Sequence, residues 1–381
     1  MHPHFSARVN ELHASPIREI LSVIDRPGMI SFAGGLPSVD SFPQFNLEGM
    51  PADTLQYGSS EGEWALREQI AQELTALGLS CKPEQVLVVS GSQQGIDLVA
   101  KLFIDQGTAV AVESPTYLAA LQVFRFFGAR FDPYDAETVN AQKWLSEKPA
   151  FAYAIPTFQN PTGRCLSADA RAALANACDE ANVPLFEDDP YRDLVYDDCD
   201  RSPVCARLRK ASWIYQGSFS KSLAPGLRLG YLVASPELLP YLTRLKQAAD
   251  LHSNRMSQWL VLQQLRNPQR QERLIALAQS YRQRRDAFDA VLKRHFGSLA
   301  SWQIPAGGLF FWLTLNKKLD TRLLLADAIK VGVAFMPGEP FMPIETQATG
   351  QLRLNFSHAT EAQAERGLAV LANLIKNTVT D

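Results

Sequence analysis

The chain has 381 residues, 46% of them hydrophobic and 20% charged, which suits a large buried core and excludes collagen-like, coiled-coil and disordered classes. Its 37 Lys and Arg against 40 Asp and Glu leave a net charge of −3 with no long basic run. The densest basic stretch, RQRR at 282–285, lies inside a helical pattern and reads as a solvated face rather than a nucleic-acid footprint.

The first residues, MHPHFSARVNELHASP, are polar and lack the apolar core of a signal peptide. No apolar run reaches the ~18 residues a membrane span needs. Five scattered cysteines without a CxxC pair suit free or buried thiols in a reducing compartment. The expectation is a soluble cytoplasmic protein with neither nucleic-acid nor membrane partners. Ser15 and Pro16 read as the cap and first residue of a helix, which puts Arg18 in its first turn.

From about residue 61 to 233, short apolar runs alternate with helix-length segments. LVVS (87–90) precedes QQGIDLVAKLF, AVAVES (109–114) precedes PTYLAALQVF, and FAYAIP (151–156) precedes a helix beginning near Ser167. VPLFEDD (183–189), WIYQGS (213–218) and LRLGYLVA (227–234) complete the set. This alternation is the sequence form of βαβ units, hence an α/β fold with a mostly parallel sheet covered by helices on both faces. Beyond Pro236 the pattern changes to a long helical stretch (268–296), strands at GGLFFWLTL (307–315) and QLRLNF (351–356), and helices near Leu323 and over 362–375. That is the outline of a smaller α+β unit. The division expected is 1–42 as an N-terminal arm with part of the small unit, 43–276 as the large unit and 277–381 as the small one.

In open α/β sheets ligands bind beyond the carboxyl ends of the strands, and the chain's unusual polar residues mostly follow strands. SGSQQG (90–95) opens a helix whose free amides, with Ser92 and Gln93, could receive a phosphate, although an ordinary capped turn reads the same way. FQNPTG (158–163) is a rigid turn presenting the amide of Asn160. EDDPY (187–191) sets carboxylates at a strand end, where one could pair with a ring nitrogen; helix capping and a metal site are the alternatives. The metal is discounted because the six histidines are dispersed. Lys221, in GSFSKSLAPGLRLGY, follows a strand among Ser218, Ser220 and Arg228, where a sheltered lysine could act as a nucleophile beside phosphate donors. GxSxG at 58–62 has no strand feeding it, and SxxK at 218–221 lacks the SDN and KTG partners of acyl-serine enzymes.

In order, Tyr57 in LQYGSSEG, then SGSQQG, SPTY, QNPTG, EDDPY, SFSK, GLRLG and LRLNF resemble the pyridoxal-phosphate aminotransferases of fold type I, class I/II. The likeness covers nearly the whole chain from about Arg18. The segments SPIREILSVIDRPGMISFAGGLPSVDSFP (15–43) and QAADLHS (247–253) are most similar to the α-aminoadipate/aromatic broad-specificity subgroup.

The resemblance implies a seven-stranded-type sheet and pyridoxal 5'-phosphate as cofactor. Lys221 would join the cofactor covalently and later carry the substrate's proton. Asp188 would pair with the ring nitrogen, and Tyr191 and Asn160 would bond the ring hydroxyl. Tyr117 would stack on the ring. Ser92, Gln93, Ser218, Ser220 and Arg228 would hold the phosphate. Arg353, with Asn160, would take the substrate α-carboxylate, and Gly35 would line the substrate site. Tyr57 would reach the neighbouring subunit's phosphate, implying a homodimer with shared sites. Arg18, on a lid helix, would meet an acidic substrate side chain.

The activity implied is transfer of an amino group from aminoadipate, glutamate, aromatic or aliphatic amino acids to a 2-oxo acid such as 2-oxoglutarate, in two half-reactions with ping-pong kinetics. Another reaction on the same cofactor, a β-lyase or decarboxylase, is the alternative, since fold alone does not choose among them. A sensing domain of a regulator is a further one, which no basic helix-turn-helix supports.

Overall fold

The structure, a computed structural model, describes His4, Ser6, Arg8, Val9 and residues 28–344 and 348–378. The strands, in chain order, are β1 (Ile30–Ser31), β2 (Val86–Val89), β3 (Ala109–Glu113), β4 (Arg130–Tyr134), β5 (Ala152–Ala154), β6 (Leu185–Asp189), β7 (Trp213–Ser218), β8 (Gly230–Ala234), β9 (Ala300–Trp302), β10 (Phe310–Leu315), β11 (Val333–Ala334), β12 (Met336–Pro337) and β13 (Gln351–Asn355). Among the described residues no helix is long and apolar enough to cross a membrane.

Seven strands form one sheet in the order β2-β8-β7-β6-β5-β3-β4. β3 pairs in parallel with β4 and β5, β5 with β6, and β6 with β7, whereas β8 runs antiparallel to both of its neighbours. The expected apolar runs are these strands, and the expected helices follow them at Ser92–Phe103, Leu118–Phe126 and Ala168–Ala181. The last begins where anticipated, because the Ser167 hydroxyl accepts from the Ala170 amide at 3.2 Å. One strand has no apolar signature: β4 reads RFDPY, with Pro133 inside it. It is an edge strand, where a missing amide costs no ladder bond.

The pleat of β6 sends consecutive side chains to opposite faces. Phe186 packs with Leu87, Val89, Tyr153 and Ile214 on one face, and Leu185 packs with Val86, Val88, Ala152 and Tyr215 on the other. A third core joins Ile30 and Phe32 to the helix Arg270–Phe296, β10, β13 and the helix Glu361–Thr378. Here β12-β13-β10-β9 form an antiparallel sheet, and β1 pairs in parallel with β11. The early segment 30–33 is therefore laced to the late one: Asn355 N donates to Phe32 O at 2.8 Å.

The carboxyl ends of β2, β3, β5, β6 and β7 open on one edge of the large sheet, and β8 enters at the same edge. Residues 33–36 and β13 close over that edge. A cavity of about 410 Å³ is left between them.

Candidate active site

Lys221 stands three residues beyond β7, and its Nζ donates to the Gly35 carbonyl at 2.8 Å. Burial, with the positive charges of Arg353 and Arg228 adding to it, lowers this amine to about 8. It is thus a nucleophile near neutral pH, which an exposed lysine is not.

Asp188 is the fourth residue of β6 and only 3% exposed. Burial raises its carboxyl to about 6, while two donors hold it down: Gln216 Nε2 bonds Oδ1 at 2.8 Å and the Tyr153 hydroxyl bonds Oδ2 at 2.8 Å. Asp189, one residue on, faces away and is locked to Arg192 Nε at 2.5 Å and the Tyr215 hydroxyl at 2.8 Å. Strand alternation alone therefore gives the cavity Asp188 and the core Asp189.

Arg353, on β13, is 4% exposed, with Nη1 donating to Asn160 Oδ1 at 2.7 Å and Nη2 donating to the Ala33 carbonyl at 2.6 Å. Its guanidinium carbon lies 4.1 Å from the Phe310 ring centroid and 5.2 Å from that of Phe341. Burial lowers it to about 10, so it stays charged at neutral pH. Its Nε is buried without a partner. The ring of Tyr191 packs edge-on to Phe310 with centroids 5.7 Å apart, and its phenol lines the same cavity as Asn160. Burial pushes Tyr191 up, and Tyr117 up to about 12, so both remain protonated donors.

At the other end, Gly91 takes φ +83° and caps the helix Ser92–Phe103, leaving the first amides of that helix free. A Cβ at Gly91 would lie 2.5 Å from Arg228 Nη2, so glycine leaves the space the guanidinium occupies. Ser92, Gln93, Ser218 and Ser220 complete this end of the cavity.

The cavity thus brings together every residue singled out for the site except two. Tyr57 does not line it: the side chain is 76% exposed, edge-on to His252 at 5.7 Å. Arg18 lies outside the described residues. Sequence reasoning missed Ala33, Tyr153, Gln216, Phe310 and Phe341. Of these, only Gln216 carried a signal, as an amide inside an otherwise apolar and aromatic strand.

These donors suit pyridoxal phosphate. A helix N-terminus with hydroxyls and a guanidinium suits its phosphate. A sheltered amine suits its aldehyde, a carboxylate its ring nitrogen, and Asn160 with Tyr191 its ring hydroxyl.

The family model for aminotransferase class I and II matches residues 32–371. The 2-aminoadipate transaminase of Thermus thermophilus is 37% identical over 93% of this chain and 92% of its own length. Aromatic-amino-acid aminotransferase 1 of Thermococcus litoralis is 34% identical over 98% and 94%. The kynurenine aminotransferase of Pyrococcus horikoshii, solved in complex with PMP, superposes with a TM-score of 0.92 at 33% identity, covering 99% of this chain and 98% of that one. The chain is a member of the class I and II aminotransferases, a pyridoxal-phosphate-dependent transaminase of fold type I.

Proposed function

We propose that the amino donors of this transaminase are α-amino acids with aliphatic, aromatic or acidic side chains, that 2-oxoglutarate is an acceptor, and that the enzyme works as a cytoplasmic homodimer. The observation that carries the reading of the site is the fixed Arg353 guanidinium. Held by Asn160 and Ala33 and stacked on Phe310, it lines the same cavity as the Lys221 amine. An α-carboxylate bound there in two-pronged fashion brings the substrate's Cα–H bond toward Lys221.

In this reading Ser92, Gln93, Ser218, Ser220 and Arg228 grip the cofactor's phosphate, Tyr117 stacks on its ring, and Asn160 and Tyr191 donate to its hydroxyl. Asp188 keeps a proton on the ring nitrogen. The bound cofactor supplies an electron sink for the pair left when the Cα–H bond breaks. Lys221 Nζ would take the Cα proton and deliver it to the carbon that was the cofactor's aldehyde, and the Gly35 carbonyl, which accepts a hydrogen bond from this amine, would help to hold it in place.

Leu36, Ile155 and Met336 give the cavity an apolar wall, which supports aromatic and aliphatic donors. The names of the aromatic and aminoadipate relatives support the same range. The acidic donors rest on Arg18, whose role comes from resemblance alone. Tyr57, exposed on one chain, supports the dimer as a side chain awaiting the neighbouring subunit's phosphate. We read the helix Arg270–Phe296 as the joint between a large unit over 43–276 and a small unit over 277–381 with 1–42.

A panel of donors with 2-oxoglutarate, run on the wild type and on Arg18→Ala, tests the specificity. Selective loss of glutamate and aminoadipate in the variant supports Arg18 as the acidic-side-chain partner, and uniform activity removes it.

A further inference from the structure

Gln216 is wholly buried in β7, directly opposite Asp188 of β6 in the parallel register. A buried amide needs partners on both its ends. The nitrogen has one, Asp188 Oδ1 at 2.8 Å, but Oε1 is buried with none. Turning the amide over would point Oε1 at a carboxylate oxygen, so the orphan is the lesser cost. What holds the carbonyl end is steric. It abuts the backbone of the helix Ser92–Phe103 at Gly95, where even a single added Cβ would overlap Oε1. Leu232 crowds the same point, its Cδ2 lying 2.9 Å from such a Cβ. On the other oxygen of Asp188, the hydroxyl of Tyr153, also wholly buried, donates at 2.8 Å.

We propose that Gln216, wedged against Gly95, and Tyr153 are positioning residues that hold Asp188 ionised and aimed at the cavity, one donor on each carboxylate oxygen. The inference rests on the reading of Asp188 as partner of the cofactor's ring nitrogen. Two donors from fixed strands oppose the desolvation that would otherwise neutralise the acid. The titratable groups acting on Asp188 are Asp189, whose charge works against ionisation from the opposite face of the strand, and the phenols of Tyr117, Tyr153 and Tyr191. Gly95 thereby gains a role without touching the cofactor. Alanine is the better helix former, yet here its methyl would displace the flexible amide of Gln216 and free one side of Asp188.

The test uses the full chain, stripped of cofactor and reloaded with pyridoxal phosphate. Gln216→Met, Gly95→Ala and Tyr153→Phe are each made alone and combined with Asp188→Ala. The readouts are the cofactor's dissociation constant and the pH midpoint of the bound cofactor's visible absorbance. Each single variant is expected to weaken binding about tenfold, the value of one charge-assisted hydrogen bond. Each is also expected to move the midpoint upward, as Asp188→Ala does, because a ring that loses its proton draws less on the Lys221 linkage. In the Asp188→Ala background the same substitutions should change neither readout. Single variants that leave both readouts at the wild-type value overturn the proposal while leaving Asp188 its role. So do effects that persist in full without Asp188. An Asp188→Ala chain that behaves as wild type overturns both readings. Should Gln216→Met fail to fold, Gly95→Ala and Tyr153→Phe, which removes one oxygen atom, decide the matter.

Discussion

The guanidinium of Arg353 meets the side chain of Asn160 at 2.7 Å across 193 positions of sequence, fastening the antiparallel sheet to the turn beyond β5. Two groups that the reading assigns to one substrate carboxylate are thereby set in a fixed geometry before substrate arrives. Preorganisation of this kind is what turns binding into orientation.

Arg353→Ala should lower kcat/KM for every α-amino acid donor roughly 100-fold or more, the loss of a charge-assisted pair worth about 3 kcal/mol. Arg353→Lys should recover little, since an ammonium offers neither the fork nor the flat face that packs on Phe310. Steady-state kinetics across a donor series provides the check. A loss confined to one donor class would place the α-carboxylate elsewhere.

The freed amine of Lys221, lowered to about 8, should react with the cofactor or an amine-directed electrophile with a midpoint near that pH. The reactive form is the neutral amine, so the rate falls as pH drops through the midpoint. Arg353→Leu and Arg228→Leu each remove a neighbouring positive charge and should move the midpoint up. The pH dependence of labelling of the cofactor-free chain measures this, and a wild-type midpoint near the ordinary lysine value of 10.5 would contradict it.

The two adjacent aspartates should separate cleanly. Asp188→Asn should alter the absorbance of the bound cofactor and depress kcat while leaving the melting temperature nearly unchanged. Asp189→Asn should do the reverse. It removes the carboxylate paired with the buried Arg192 guanidinium, at a cost of about 3–5 kcal/mol, and neither residue lines the cavity. Thermal unfolding and absorbance spectra of both variants decide between them.

Tyr57→Phe should weaken cofactor binding about tenfold through the loss of one phosphate hydrogen bond, with the chain still sedimenting as a dimer. Affinity unchanged in a dimeric variant would detach Tyr57 from the site.

Much of this architecture was legible because strand and helix alternate in the apolar pattern, and the site because its residues cluster just past strand ends. The resemblance implies Asp188 rather than Asp189, and the pleat of β6 is what turns Asp188, not Asp189, into the cavity. Other features had no local signal. β4 is hidden by Pro133 and its charged start, tolerable only at an edge that topology alone defines. The antiparallel course of β8 depends on which neighbour it pairs with, which its own residues do not encode. Tyr153 looks like filling of a buried sheet, and Gln216, though conspicuous as an amide in an apolar strand, carries nothing that points to Asp188; their link to it arises from register across three strands. Phe310 and Phe341, which flank the Arg353 guanidinium, read as ordinary core.

The account depends on one covalent attachment. Borohydride reduction of the cofactor-loaded chain, followed by mass mapping of its peptides, should place the pyridoxyl group on Lys221 and nowhere else, and Lys221→Ala should take up no label. A label on another lysine, or an alanine variant that still transfers amino groups at the wild-type rate, would contradict it.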